Sequence, residues 1–74
     1  MEHVALLQCL ARAEKRIAMG TRIIARQRKV LAELVANGEV ADEAAQRLAG
    51  FEQMREINLA ICADIKMELA ESSS

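Results

Sequence analysis

Apolar residues recur along this chain at a spacing of seven. In the first half Leu10, Ile17, Ile24 and Leu31 form one such line, with Leu6, Ala13, Gly20 and Leu34 beside it. In the second half Ala44, Phe51, Asn58 and Ile65 form another, flanked by Leu48, Met54, Ile61, Cys62 and Leu69. A sustained heptad of this kind is the mark of helices wound into a left-handed bundle. The break in the pattern is Asn37-Gly38-Glu39-Val40. Gly38 suits the left-handed residue that ends a helix, and Asn37 tolerates the same region. Asp42 and Glu43 then place negative charge in the first turn of a second helix, where the macrodipole favours it. The pattern predicts helix 1 over about 3–36, a turn at 37–40, helix 2 over about 41–71 and a frayed tail at 72–74. Each helix would be roughly 45–50 Å long.

So short a connection makes the helices antiparallel neighbours, an αα-hairpin whose facing residues have numbers that add to about 78. The apolar stripes are too wide for one hairpin. Cys9, Ile23, Val30 and Leu34 extend the helix 1 stripe to one side, while Leu7 and Val35 extend it to the other. A lone hairpin leaves one flank of each helix wet, and two hairpins packed together cover both. The expected architecture is therefore all-α: one domain, residues 1–74, forming a two-helix antiparallel hairpin that dimerises into a four-helix bundle.

Composition strengthens the case for a partner. A chain of 74 residues buries only about 60% of its unfolded surface and is marginal as a monomer. It has no proline and a single aromatic residue, Phe51, a balance typical of long helices rather than sheets. No stretch approaches a membrane span. The start, MEHVALLQCLARAEKR, is acidic where a signal peptide is basic, and Gln8 before Cys9 spoils a lipoprotein cleavage site. A cytoplasmic protein with reduced thiols is expected.

Charge divides the chain in two. Residues 1–37 carry seven Lys/Arg against three Glu, a net of +4, whereas residues 38–74 carry three cations against eight acids, a net of −5. Within the first half Arg12, Lys15, Arg22, Arg26 and Lys29 share one helix face with Met19 and Glu33, pointing away from the apolar stripe. The five cations are the candidate partner-binding surface. It is either a track for phosphates, doubled by a dimer axis, or a solvated helix face. No aromatic residue interleaves with the cations, which argues against base stacking on it. The acidic half repels polyanions.

Other candidate chemistry is thin. Asn58 occupies an apolar position of the heptad, where polar residues often fix register or oligomer state, and Thr21 and Arg55 should lie at its level. Arg28 sits at the edge of the apolar stripe, where it can pair within the bundle. Cys9 and Cys62 lie about 10 Å apart along the hairpin axis, too far for a disulfide within one chain, and read as small buried hydrophobes. His3 is the single histidine and lacks a carboxylate or thiol at ligand spacing. No metal motif, glycine-rich phosphate loop or nucleophile–base pair is visible. The expectation is a protein without cofactor, metal or catalytic residues, whose partners are itself and another protein, with nucleic acid as the alternative.

The blocks Ala13-Glu14, Arg16-Ile17-Ala18, Gly20 and Ile24-Ala25-Arg26-Gln27-Arg28, the turn Asn37-Gly38, and Leu48 with Phe51-Glu52 resemble a group of small, mostly proteobacterial proteins. The resemblance covers most of the chain. It implies a helical hairpin and brings no activity with it. Ala41 departs from the pattern, since the group usually has a helix-capping threonine there, which implies a weaker start to helix 2. A second likeness is architectural only. Rop-type plasmid proteins are also αα-hairpins that dimerise into four-helix bundles and bind RNA through helix 1, but no motif of theirs is present.

Overall fold

The computed structural model describes residues 2–72. Two helices account for nearly all of them: α1, Glu2–Ala36, and α2, Asp42–Ser72. Among the described residues there is no strand. The helices pack side by side along their length into a rod of 56 × 14 × 14 Å. The end of α1 falls at Ala36 as expected, and the other three boundaries differ from the expected ones by one residue. Ala41 stands outside α2 and Ser72 belongs to it, its Oγ donating to the Leu69 carbonyl at 3.1 Å. Of the expected tail, residues 73 and 74 lie outside the described residues.

The end of α1 is built as the sequence anticipates. Gly38 has φ 70°. That left-handed residue lets the Glu39 N–H reach back to the Leu34 carbonyl at 2.9 Å and the Gly38 N–H to Val35 at 3.1 Å, which together form the Schellman closure of a helix. α2 begins less well. The Ala41 carbonyl accepts from the Ala45 N–H at 2.9 Å, so Ala41 is the N-cap residue, yet it has no side-chain oxygen to satisfy the free N–H groups of the first turn.

The seam between the helices follows a strict alternation of three and four. On α1 the half-buried or buried positions are Leu6, Leu10, Ala13, Ile17, Gly20, Ile24, Gln27, Leu31 and Leu34. The matching set is Ala41 just before α2, then Ala44, Leu48, Phe51, Arg55, Asn58, Cys62, Ile65 and Leu69 on it; Glu52, also half-buried, lies beside Phe51 off this line. The expected register holds, because Arg28 meets Glu52 and Arg55 meets Thr21 across the seam. It sets Ala13 level with Ile65 and Ala44 level with Leu34, small against large, as interdigitated packing requires. Gln27 and Arg55 were not anticipated in the seam. Arg55 can occupy it by laying its methylene stem along apolar neighbours while its head stays wet.

The core is thin. The buried hydrophobic residues are Ala13, Ile24, Ala44, Leu48 and Cys62, and no described side chain falls below 2% exposure. The accessible surface is 5778 Å². A compact folded monomer of the same mass, 8.2 kDa, exposes about 4,500 Å². The rod therefore shows roughly 1,200 Å² more than a compact chain would.

Candidate interaction surface

A two-helix rod has two flanks beside its seam, and here they differ in chemistry. One flank is polar. The Arg28 Nη2 donates to Glu52 Oε2 at 2.9 Å, and the Arg55 Nε donates to Thr21 Oγ1 at 3.2 Å. Thr21 Oγ1 in turn donates to the Ile17 carbonyl of its own helix at 2.9 Å, a local back-bond that keeps the hydroxyl on this side. An open cleft of about 270 Å³ runs beneath these groups, floored by Ile24 and Ala25. Arg28 pairs across the hairpin as anticipated. Its side chain is nevertheless 63% exposed and that of Glu52 44%, so the pair is a surface contact and not the partly buried one expected.

The opposite flank is apolar. A groove of about 350 Å³ is lined by Met19, Gly20, Ile23, Phe51 and Met54, with Arg16, Arg55 and Asn58 at its margins. Gly20 opens it, since nothing lies within 4 Å of where a Cβ would stand. The helical repeat extends this surface. Val30 lies one heptad beyond Ile23, Ile61 one heptad beyond Met54, and Ile57 between Met54 and Ile61. Met19, Ile23, Val30, Met54, Ile57 and Ile61 are 53, 36, 38, 59, 49 and 40% exposed. Scattered apolar residues are ordinary on a surface, but six gathered on one flank are not. Met54 and Ile61, expected to flank the seam, belong here.

Asn58 is half-buried at the edge of this groove. Its Nδ2 donates to the Met54 carbonyl at 3.1 Å, within its own helix. The expected polar level exists in Thr21 and Arg55, and Asn58 stands beside it without a bond across the seam. The thiols divide. Cys62 is 5% exposed, but Cys9 is exposed and sits on the apolar flank, against the expectation that both are buried. Both are free, and the sequence position of Cys9 alone, one heptad short of Arg16, is the signal that places it off the seam.

The five cations of the predicted stripe, Arg12, Lys15, Arg22, Arg26 and Lys29, are all exposed on the outer side of α1. None forms an ion pair or side-chain hydrogen bond with another described residue, whereas Arg28 and Arg55 each take part in an ion pair. His3 is exposed, and among the described residues no group of three His, Cys, Asp or Glu is gathered as for a metal ion. Among the described residues no helix is long and apolar enough to cross a membrane. Comparison with protein families, with curated proteins and with solved structures finds no match for this chain.

Proposed function

We propose that this chain is a cytoplasmic, non-enzymatic interaction module that works as a homodimer, two hairpins closing on each other through their apolar flanks into a four-helix bundle. The observation that carries the reading is the apolar flank itself, set on a rod with about 1,200 Å² of surface beyond that of a compact chain. A standard interface takes about 800 Å² from each partner, so the excess is of the size that one interface removes. The absence of aromatic side chains other than Phe51 supports an adaptor over an enzyme, because a small-molecule site needs such groups to shape it. The outer faces then remain free for a further protein.

Sedimentation at micromolar concentration tests the dimer. The native chain is expected at twice its monomer mass, and the double change Ile23→Glu, Met54→Glu at the monomer mass with less helix. A native chain that sediments as a well-folded monomer removes the reading.

A second reading has one observation in its favour. The five unpaired cations on the outer side of α1 are suited to phosphates, and make an RNA- or DNA-binding dimer the alternative.

A further inference from the structure

We propose that the two hairpins pack with their turns at the same end of the bundle, so that α1 of each protomer lies beside α2 of its partner. The inference rests on the dimeric reading above and fixes its geometry.

Two closed arrangements bring the apolar flanks together. With the two-fold axis along the bundle, the turns lie together, and α1 runs antiparallel to the partner's α2. With the axis across the bundle, the turns lie at opposite ends, and each helix meets its own copy. The apolar residues fit both. In the first, Met19 and Ile23 come level with the partner's Ile57, Ile61 and Met54. In the second they meet their own counterparts.

The charged margins of the flank separate the two. On α1, Arg16 lies on the flank and Arg12 and Arg26 along its outer edge. On α2, Glu68 lies on the flank with Asp64 and Glu71 along its outer edge. All six are exposed. Turns together, the register that holds within the hairpin also holds between protomers. Arg12 and Arg16 then come level with the partner's Asp64 and Glu68, and Glu33 with the partner's Arg47. Turns apart, Arg12 and Arg16 come level with the partner's Arg26, and the symmetry makes that meeting occur twice. The turns-apart arrangement keeps Arg47 near the partner's Glu68 and the partner's Glu71 against these repulsions, and the turns-together arrangement carries one repulsion of its own, Glu33 near the partner's Glu43, against its pairs at Arg12, Arg16 and Arg47. Opposite-sign margins select partner orientation, and like-sign margins reject it.

The arrangement bears on function. With the turns together, the two α1 helices sit on a diagonal. Their basic lines, Lys15, Arg22 and Lys29, then lie on opposite faces of the bundle, each bordered by an acidic α2. With the turns apart, the two α1 helices would be neighbours and their cations would merge into one broad basic face. The proposed geometry thus divides the positive charge into two narrow lines and disfavours a polyanion as the physiological partner.

Val40 reports the geometry directly, being 87% exposed in the turn. A spin label is placed there in the full chain carrying Val40→Cys and Cys9→Ser. Cys62 is buried, and mass spectrometry confirms one label per chain. The label–label distance is measured by pulsed electron resonance on material shown by sedimentation to be dimeric. Packed helices lie 8–10 Å apart, so turns together predict a distance below about 30 Å. Turns apart predict about 50 Å or more, close to the 56 Å length of the rod. A dimer with the long distance overturns the proposed geometry and leaves the dimer standing. A monomer with no label–label distance overturns the dimer, and the geometry with it.

Discussion

Replacing glycine by alanine should move stability in opposite directions at different points of this chain. None of Gly20, Gly38 and Gly50 has an atom within 4 Å of the position its new methyl would take. Within one hairpin steric clash is therefore absent, and the backbone decides the sign. Gly20 and Gly50 are in helix interiors, where alanine is favoured over glycine by about 1 kcal/mol. Each substitution should stabilise by that amount. Gly38 holds φ 70°, where a Cβ meets the following carbonyl at a cost of roughly 1–2 kcal/mol. The stiffer unfolded chain returns about 0.4–1 kcal/mol, so Gly38→Ala should destabilise by roughly 1 kcal/mol. A domain of this size shifts its midpoint by about 4–8 °C per kcal/mol. The Gly20→Ala and Gly38→Ala proteins should then differ by roughly 8–16 °C. Far-ultraviolet circular dichroism, followed in thermal and urea unfolding at several protein concentrations, measures this. The argument fails if Gly38→Ala unfolds with the native protein, or if both helical substitutions lower the midpoint.

Three further outcomes are expected. Ala41→Ser supplies the missing N-cap oxygen of α2 and should stabilise by about 1 kcal/mol in urea unfolding. A double-mutant cycle on Arg28 and Glu52 should give a coupling below about 1 kcal/mol that fades at high salt, because both side chains face solvent; a larger, salt-independent coupling would place the pair in a drier setting. The double change Arg22→Glu, Arg26→Glu should leave unfolding within about 0.5 kcal/mol per site. In filter binding at physiological salt the native protein should show no nucleic-acid affinity tighter than about micromolar, and a tight complex abolished by the double change would restore the nucleic-acid reading.

The hairpin is legible in the sequence because its determinants are local. Gly38 announces the left-handed turn, and the line Leu10, Ile17, Ile24 and Leu31 announces the buried side of α1. The short connection then fixes the register, so Arg28 could be expected to pair across the seam. What was not legible is how far each side chain stands from water. Met54 and Ile61 look like seam residues by hydrophobicity, but the alternation of three and four places Arg55 and Cys62 in the seam and turns Met54 and Ile61 onto the flank. Hydropathy is a poor guide in α2, where apolar residues lie on more than one side and a polar residue with a long stem can fill a seam position. Cys9 was misjudged for the same reason, since cysteine reads as buried by type and only its heptad position shows otherwise. Asn58 was placed correctly, but which carbonyl its amide reaches depends on a rotamer that no pattern encodes.

The rod is joined at one end only, and that gives it a direction. Beside the turn the residues that come level, such as Leu34 and Ala44, are close in sequence, while at the far end those that come level, such as Leu10 and Leu69, are separated by most of the chain. Because loop-closure entropy grows slowly with length, the far end is held weakly but not prohibitively, and partial opening should proceed from there toward the turn as a zipper does. The two thiols lie along that path. Cys9 is exposed on the single hairpin, and Cys62 becomes so only when the zipper has opened past its level. One molecule thus carries a clock and its own reference: the ratio of their alkylation rates reads out how often half the hairpin comes apart while the turn holds.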